Sequence, residues 1–386
     1  PISLLISVET KNPTIFFEEK EIKLKKISTN YNIISFFRKE FGINTLNLET
    51  KKNEIKDIVK ILRLNKDTPQ LYILDKSINK GKIFIEAKIN FDDKGNIKDD
   101  FKITGKINNL YLKLLNKNEI KDLNLNFNYY DKNLDLKNVN LSYFDIKITG
   151  QNISLKKNNN FYVIKGKLKN LKKIIPKEII SLILKNESFD KIILSSENDF
   201  SFKINKKYKI SDLNINSKVN LEEANFKLNN KFVKNYIPDF ENEFKFKNHV
   251  LDIKYKKNIF IQGNGKVEIG NKKEEIEYNL NFIDDKLIYD AVLFLNKVSI
   301  KLDLLNFLKK ENVKSKIKIK GKNNKNIIKI EKISLEANDT NISAENFELT
   351  NNFKIINFDK ANFNYIDKYN KKNDIIITKN KQEYVI

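Results

Sequence analysis

Residues 122–129 read Asp-Leu-Asn-Leu-Asn-Phe-Asn-Tyr, and this alternation decides the fold class. Leu123, Leu125, Phe127 and Tyr129 occupy every second position between Asp122, Asn124, Asn126 and Asn128. Successive side chains of a strand point to opposite faces, so a period of two gives one apolar and one wet face. Asp131, Lys132 and Asn133 follow as a turn signal, and Leu134 and Leu136 then resume the alternation, which predicts a hairpin. Val139, Leu141 and Tyr143 continue on odd positions, whereas Phe144, Ile146 and Ile148 fall on even ones. A phase flip of that kind predicts a bulge or bend at residues 143–144 if the apolar side is to stay on one face.

The same pattern recurs at residues 213–221, 251–255, 259–269, 276–282, 300–304 and 313–319. Lys314, Lys316, Lys318 and Lys320 fill alternate positions at the last of these, as on a solvated sheet face that discourages edge-to-edge pairing. Helical patterns are few. Ile55, Ile58, Val59 and Leu62 fall at i, i+3, i+4, i+7 and predict an amphipathic helix over 53–64, with Pro69 beyond its end. Pro176 suits the first position of a helix over 177–185 that carries Ile179, Ile180, Leu182 and Ile183. A less regular pattern covers 31–41. No Pro- or Gly-rich linker marks an internal boundary, so residues 1–386 read as one continuous segment, polar enough from Tyr365 onward to be a frayed end. Pro1 in place of an initiating Met predicts a processed product or an excerpt of a longer polypeptide.

A small motif repeats along these strands: Ile103-Thr-Gly105, Ile148-Thr-Gly150, Ile164-Lys-Gly166, Ile261-Gln-Gly263 and Ile319-Lys-Gly321. Five of the 10 glycines therefore have Ile two places earlier, more than the abundance of Ile alone would give. In each case glycine takes an apolar-side position, where a missing side chain lets a sheet bend or backbones pack closely. The spacing is irregular, unlike that of a propeller or a leucine-rich array. Gly105, Gly150, Gly166, Gly263 and Gly321 are thus candidates for bending the sheet. Some two dozen short strands at about 4.8 Å each would make a ribbon on the order of 100 Å long. An open sheet of that size curls, splits or closes. The expected fold is mainly β: a long curled antiparallel sheet forming an elongated groove, with a few short amphipathic helices. Leu123, Leu125, Phe127, Leu134, Leu136, Ile146 and Ile148 would line its apolar side, and something greasy would be its natural occupant.

Composition narrows the chemistry. The chain has no Cys, no Met, no Trp and a single His, His249. Thiol nucleophiles, disulfides, Cys-ligated zinc and iron–sulfur clusters are therefore impossible. Lys+Arg 73 against Asp+Glu 50 gives a formal net charge of +23, which attracts anions, nucleic acid and anionic lipid among them. Only Arg38 and Arg63 are arginine, however, and base readout leans on the planar fork of that side chain. No nucleotide-binding glycine motif or nucleophile elbow is present. The adjacent carboxylates Asp92-Asp93, Asp99-Asp100, Glu222-Glu223, Glu274-Glu275 and Asp284-Asp285 read as solvated turn charge, and His249 as a surface residue at a strand junction. No enzyme activity, no cofactor, no metal and no specific nucleic acid are expected.

The texture of residues 123–171, with residues 80–105, resembles the AsmA-like family of bacterial envelope proteins, lipid-transfer proteins of the repeating β-groove type. There Leu-Asn-Leu-Asn-Phe-Asn-Tyr-Tyr, a turn, Leu-Asp-Leu-Lys-Asn-Val-Asn-Leu and Phe-Asp-Ile-Lys-Ile-Thr-Gly follow one another in the order such proteins use. The resemblance implies a periplasmic segment of an inner-membrane-anchored protein. Its groove would carry phospholipid acyl chains between the inner and outer membranes, with membrane proteins as partners at its ends. Two other classes share parts of the pattern. A structural or adhesive β-sandwich or solenoid has the same alternation with a closed interior, and a basic nucleic-acid-binding protein has the charge.

Overall fold

The computed structural model describes residues 5–38, 41–113, 118–184, 189–205, 207, 209–228, 231–284, 286–323, 327–350, 354–380 and 383–385. The chain is mainly β, with 71% of residues in strands and 10% in helices. Its sheet strands pair antiparallel, and no pairing among the described residues closes a barrel. Two compact units emerge, Pro1–Asn170 with Asp199–Asp212, and Leu171–Asn198 with Leu213–Ile386.

In the first unit β1 (Leu5–Lys11) and β2 (Thr14–Phe17) both pair with β3 (Lys20–Asn32), at the sheet edge. Then come α1 (Ile33–Phe37), β4 (Ile43–Thr50), β5 (Asn53–Glu54), α2 (Ile55–Asn65), α3 (Pro69–Ser77) and β6 (Ile78–Asn90). A meander follows: β7 (Lys102–Lys113), β8 (Glu119–Tyr130), β9 (Asn133–Tyr143), β10 (Ile146–Asn158) and β11 (Phe161–Ile174). Each of these strands pairs with the next.

The hairpin expected after Tyr129 forms, with Asp131 and Lys132 at φ 49° and 59° as its two loop residues and Tyr130 opposite Asn133. The flip at residues 143–144 has a different cause from the one expected. Phe144 and Asp145 are a two-residue turn with φ 47° and 59°, the mirror-image geometry that suits the twist of a hairpin. Tyr143 and Ile146 then stand opposite each other on one face, so the change of parity is the hairpin itself.

Helix α2 begins and ends close to the expected limits, but it is rotated. Ile55, Val59 and Ile61 are buried while Leu62 is 49% exposed. Pro69 opens α3, which the sequence pattern did not predict. Thr68 Oγ1 accepts the Leu71 N–H at 3.3 Å, a cap that the short polar stretch before Pro69 supplies. Ile55, Val59, Ile78, Ile83 and Leu110 make a small core between α2 and the apolar face of β6 and β7. The expected helix over 31–41 is the short α1, and residues 39 and 40 lie outside the described residues.

The second unit takes in part of β12 (Phe189–Asn205) and most of β13 (Ile210–Lys227), with α4 (Lys177–Leu184) before them; residue 185 lies outside the described residues. Beyond α5 (Lys231–Tyr236) run β14 (Glu243–Tyr255), β15 (Ile259–Ile269), β16 (Lys272–Ile283) and β17 (Lys286–Phe294). A separate hairpin, β18 (Ile300–Leu302) and β19 (Phe307–Lys309), interrupts the sheet. The sheet resumes with β20 (Ser315–Asn323), β21 (Ile327–Ala337), β22 (Thr340–Thr350), β23 (Ile355–Asn357), β24 (Lys360–Ile366), β25 (Lys372–Asn380) and β26 (Glu383–Val385). The end expected to be frayed is therefore sheet, and Tyr365 is buried.

From β15 to β24 is six strand steps, roughly 29 Å across a flat sheet. Val267 and Ile269 of β15 nevertheless share one core with Tyr365 of β24, together with Phe240, Leu295, Val298, Phe307 and Leu335. The sheet of this unit curls around the β18–β19 hairpin. On its wet face the lysines of β20 are laced to the next strand, with Lys316 and Lys318 2.9 and 2.7 Å from Glu336. Exposed pairs of this kind contribute little each.

Candidate functional site

The apolar face of β6–β11 is built in rungs. Register places Ile85, Gly105, Phe127, Leu136 and Ile153 in one cross-strand row. Ala87, Ile103, Tyr129, Leu134, Leu155 and Ile164 form the next. Leu125 faces Ile107, Leu123 faces Leu110, and Ile148 faces Leu141. All seven predicted lining residues thus fall in one contiguous patch. Ile146 is buried opposite Tyr143, whereas Leu123, Leu125, Phe127, Leu134, Leu136 and Ile148 remain half-buried.

Keeping this face apolar requires a correction within each strand. The apolar phase is odd at Ile103 to Ile107 of β7 and even at Leu110 and Leu112. It switches likewise after Ile120 in β8, after Leu136 in β9 and after Gly150 in β10. At every switch stands an Asx residue in the left-handed region: Asn109, Asp122, Asn138 and Asn152, with φ between 50° and 53°. The registers slip at these points, which identifies four neighbouring β-bulges. Asn and Asp tolerate positive φ better than other side chains, because a short polar group can bond locally. Asn124 Nδ2 donates to Asp122 O at 2.7 Å, Asn140 Nδ2 to Asn138 O at 3.0 Å, and Asn124 Oδ1 accepts the Asn109 N–H at 3.0 Å. Bulges bend a strand and increase its twist, so a line of them curves the sheet across β7–β10. In the second unit Ala344-Glu345-Asn346-Phe347 repeats this apolar-x-Asx-apolar spelling with positive φ, and Asn248, between Lys247 and His249, has positive φ as well.

The five glycines serve a different local purpose. None of Gly105, Gly150, Gly166, Gly263 and Gly321 has positive φ. What each leaves is room for a neighbouring side chain. A Cβ on Gly105 would lie 2.6 Å from Phe127 Cζ, on Gly263 2.7 Å from Tyr278 Cζ, and on Gly321 2.7 Å from the Tyr289 hydroxyl. On Gly166 it would meet Ile153 and Phe200, and on Gly150 Ile153 and Val139. Glycine opposite a ring lets the ring lie flat on the backbone and cover it.

His249 is not a surface residue: it is 1% exposed. It follows the Asn248 bulge, in the position that Leu123 and Val139 hold after theirs, and so turns inward. Its Nε2–H donates to Lys266 O at 3.0 Å, and its Nδ1 lies 3.1 Å from the Tyr278 hydroxyl, which can donate to it in the neutral imidazole that burial favours. Burial holds the imidazolium below its ordinary range and pushes the Tyr278 phenol up to about 12. The unfolded chain binds a proton near pH 6.5 where the folded chain does not. Stability is therefore complete above that value and falls as the pH drops below it. Urea midpoints should decline from pH 7.5 to pH 5 in the native protein and less steeply in His249→Gln; equal declines would disprove the linkage.

Glu274 also departs from the expected solvated turn charge. It is 2% exposed, and its carboxylate accepts N–H groups of Asn296, Lys297 and Val298 at 3.0, 2.5 and 2.9 Å. From the other side Lys309 Nζ donates to the carbonyls of Leu295, Val298 and Asn296 at 2.5, 2.6 and 3.3 Å. Burial pulls the Lys309 pKa down, against the opposing pull of Glu274. Both charges are spent on one loop, between β17 and β18.

Among the described residues no group of three or more His, Asp or Glu could hold a metal ion, and no helix is long and apolar enough to cross a membrane. Comparison of the chain with protein-family models, with curated proteins and with solved structures finds no match.

Proposed function

We propose that the apolar face of β6–β11 binds lipid acyl chains and shields them from water, as in a protein that carries phospholipid between the membranes of a bacterial envelope. The observation supporting this reading is the half-buried state of Leu125, Leu134, Leu136 and Ile148, aligned in rungs on one side of a curved sheet beside the α2 core against which Leu123 and Phe127 pack. A closed sandwich would bury such side chains under a second layer. Each methylene of an acyl chain moved from water onto this surface contributes about 0.8 kcal/mol. A continuous apolar floor would let a chain slide along the rungs without re-entering water, and the mechanism is partition, with no bond made or broken.

Phospholipid should co-purify with the protein and be identified by mass spectrometry of an organic extract. A photo-crosslinker at Leu125 should label it, and one at Asn126, on the opposite face of β8, should not. No recovered lipid together with no label at Leu125 would overturn the reading.

A further inference from the structure

The β18–β19 hairpin covers only half of the apolar face of the second unit. Its Ile300 and Phe307 share a core with Val267, Ile269 and Leu335, against which Ile276 and Ile317 also pack. Toward the other end of the same strands, register places Ile253, Ile261, Leu280, Tyr289, Gly321 and Ile330 in one cross-strand rung. Ile259, Phe282, Leu287, Asn323 and Ile328 form the next. Ile259 and Phe282 are each 37% exposed, and Ile253, Ile261, Leu280, Leu287 and Ile328 are half-buried. Strand pairing thus puts these side chains on one face, and the hairpin does not bury them.

Two polar atoms interrupt this floor. The Tyr289 hydroxyl and Asn323 Oδ1 are shielded from solvent, and neither has a hydrogen-bond partner in the protein. Tyr289 stands opposite Gly321 and Leu287 opposite Asn323, so the two polar residues are diagonal neighbours on one face. Tyr278, one position closer to the hairpin, differs in having His249 beside its hydroxyl. Burial, with Glu331 nearby, pushes the Tyr289 phenol up to about 12, so it remains a donor throughout the neutral range. Unpaired oxygens on Asn128 and Asn225 are another matter, since those residues lie on the wet face opposite Asp135 and Lys245. On an apolar floor a donor and an acceptor left unpaired cost stability, unless a group from outside the chain bonds them. Both residues are half-buried as a whole, so rotation of the side chains brings the two atoms to the surface of the floor.

The chemistry that fits is narrow. Tyr289 calls for an acceptor, Asn323 Oδ1 for a donor, and the flanking rungs for hydrocarbon. Neither rung holds an acidic or basic side chain, which suits an uncharged head. An acyl ester with a free hydroxyl close to the ester, as in a monoacylglycerol, meets all of these demands.

We infer that the uncovered half of this face binds such a hydroxylated acyl ester, its chain along the rungs, its ester carbonyl accepting from Tyr289 and its hydroxyl donating to Asn323 Oδ1. The inference rests on the acyl-chain reading of the first unit and extends it to a second site with a polar anchor.

The full chain with a photo-crosslinker at Ile261, at Gln262 on the opposite face of β15, or at Leu125 would be exposed to monooleoylglycerol and to methyl oleate. The second keeps the chain and the ester but lacks the hydroxyls. Mass spectrometry of the adducts should show Ile261 labelled roughly tenfold more by monooleoylglycerol, as two modest hydrogen bonds would give, and Gln262 by neither. The double variant Tyr289→Phe, Asn323→Leu should lose that preference. Without lipid it should melt at or above the native temperature, since it removes groups that have no partner in the fold. Label at Leu125 with none at Ile261, equal labelling of Ile261 by the two esters, equal label at Gln262, or a preference that survives in the double variant would overturn the inference and leave the first-unit reading standing. So would a melting temperature several degrees below the native one, because the two groups would then be structural. No label at either Ile261 or Leu125 would overturn both.

Discussion

Replacing Glu274 with alanine should destabilise the second unit by at least about 3 kcal/mol, among the largest effects of any single substitution in the chain. The carboxylate satisfies three backbone N–H groups of the loop between β17 and β18, in a setting where water cannot replace it. Removing it leaves those donors unpaired and takes from the buried Lys309 ammonium the strongest of the negative charges that favour it, ahead of Glu311 and Asp239. The loop leads into the β18–β19 hairpin, whose Ile300 and Phe307 belong to the core around which this sheet curls. Loss of the loop geometry therefore propagates into packing. Glu274→Gln keeps one acceptor but aims an amide N–H at a backbone N–H, and should cost less than Ala. Urea denaturation gives the magnitude, and amide hydrogen exchange at residues 296–298 locates it. Native-like protection of those amides in Glu274→Ala would refute the assignment.

Gly105→Val should cost about 3 kcal/mol, by overpacking rather than by lost contacts. The added Cβ would strike the Phe84 carbonyl oxygen on the neighbouring strand as well as the Phe127 ring. A ring can swing away; a carbonyl engaged in a ladder cannot move without breaking it. Gly263 is the control, because the nearest atoms to its Cβ belong only to the side chains of Leu251 and Tyr278. Alanine at 105 should accordingly be worse than alanine at 263 by a clear margin in thermal melting. The opposite order would show that the rings, and not the backbone, set the requirement for glycine.

These two positions show what was legible in the sequence. Strand content, antiparallel meander and the hairpin at Asp131-Lys132 follow from period-two alternation and turn chemistry, which are local properties. The residues of the apolar rungs could be named because Leu123 to Tyr129 and Leu134 to Leu136 share a face with their neighbours whatever the curvature. Glu274 could not be found the same way. Beside Glu275 it looks like turn charge, and only the return of residues 296–298 over β16 makes it a buried anchor. His249 misled for a related reason. A polar residue after Asn248 suggests a surface junction until the bulge is recognised, after which its inward direction follows. The signal for the bulges was present in β7, β8 and β9 as apolar, any residue, Asx, apolar, and in β10 with glycine in the first place. Attention to alternation alone passes over it, because each half of the strand alternates correctly.

The bulge line also sets an arithmetic on the sequence. A strand whose wet and dry sides exchange parity at one left-handed Asx tolerates lengthening by two residues on either flank, since both phases are kept. A single inserted or deleted residue in β7–β10 sends everything beyond it to the wrong side, unless it creates or removes one of these Asx positions and so moves the fold line with it. Chains that build this sheet can therefore drift widely in composition, as the abundance of Lys, Asn and Ile here illustrates. Their gaps will fall in even numbers within strands and in odd numbers at Asn109, Asp122, Asn138 and Asn152.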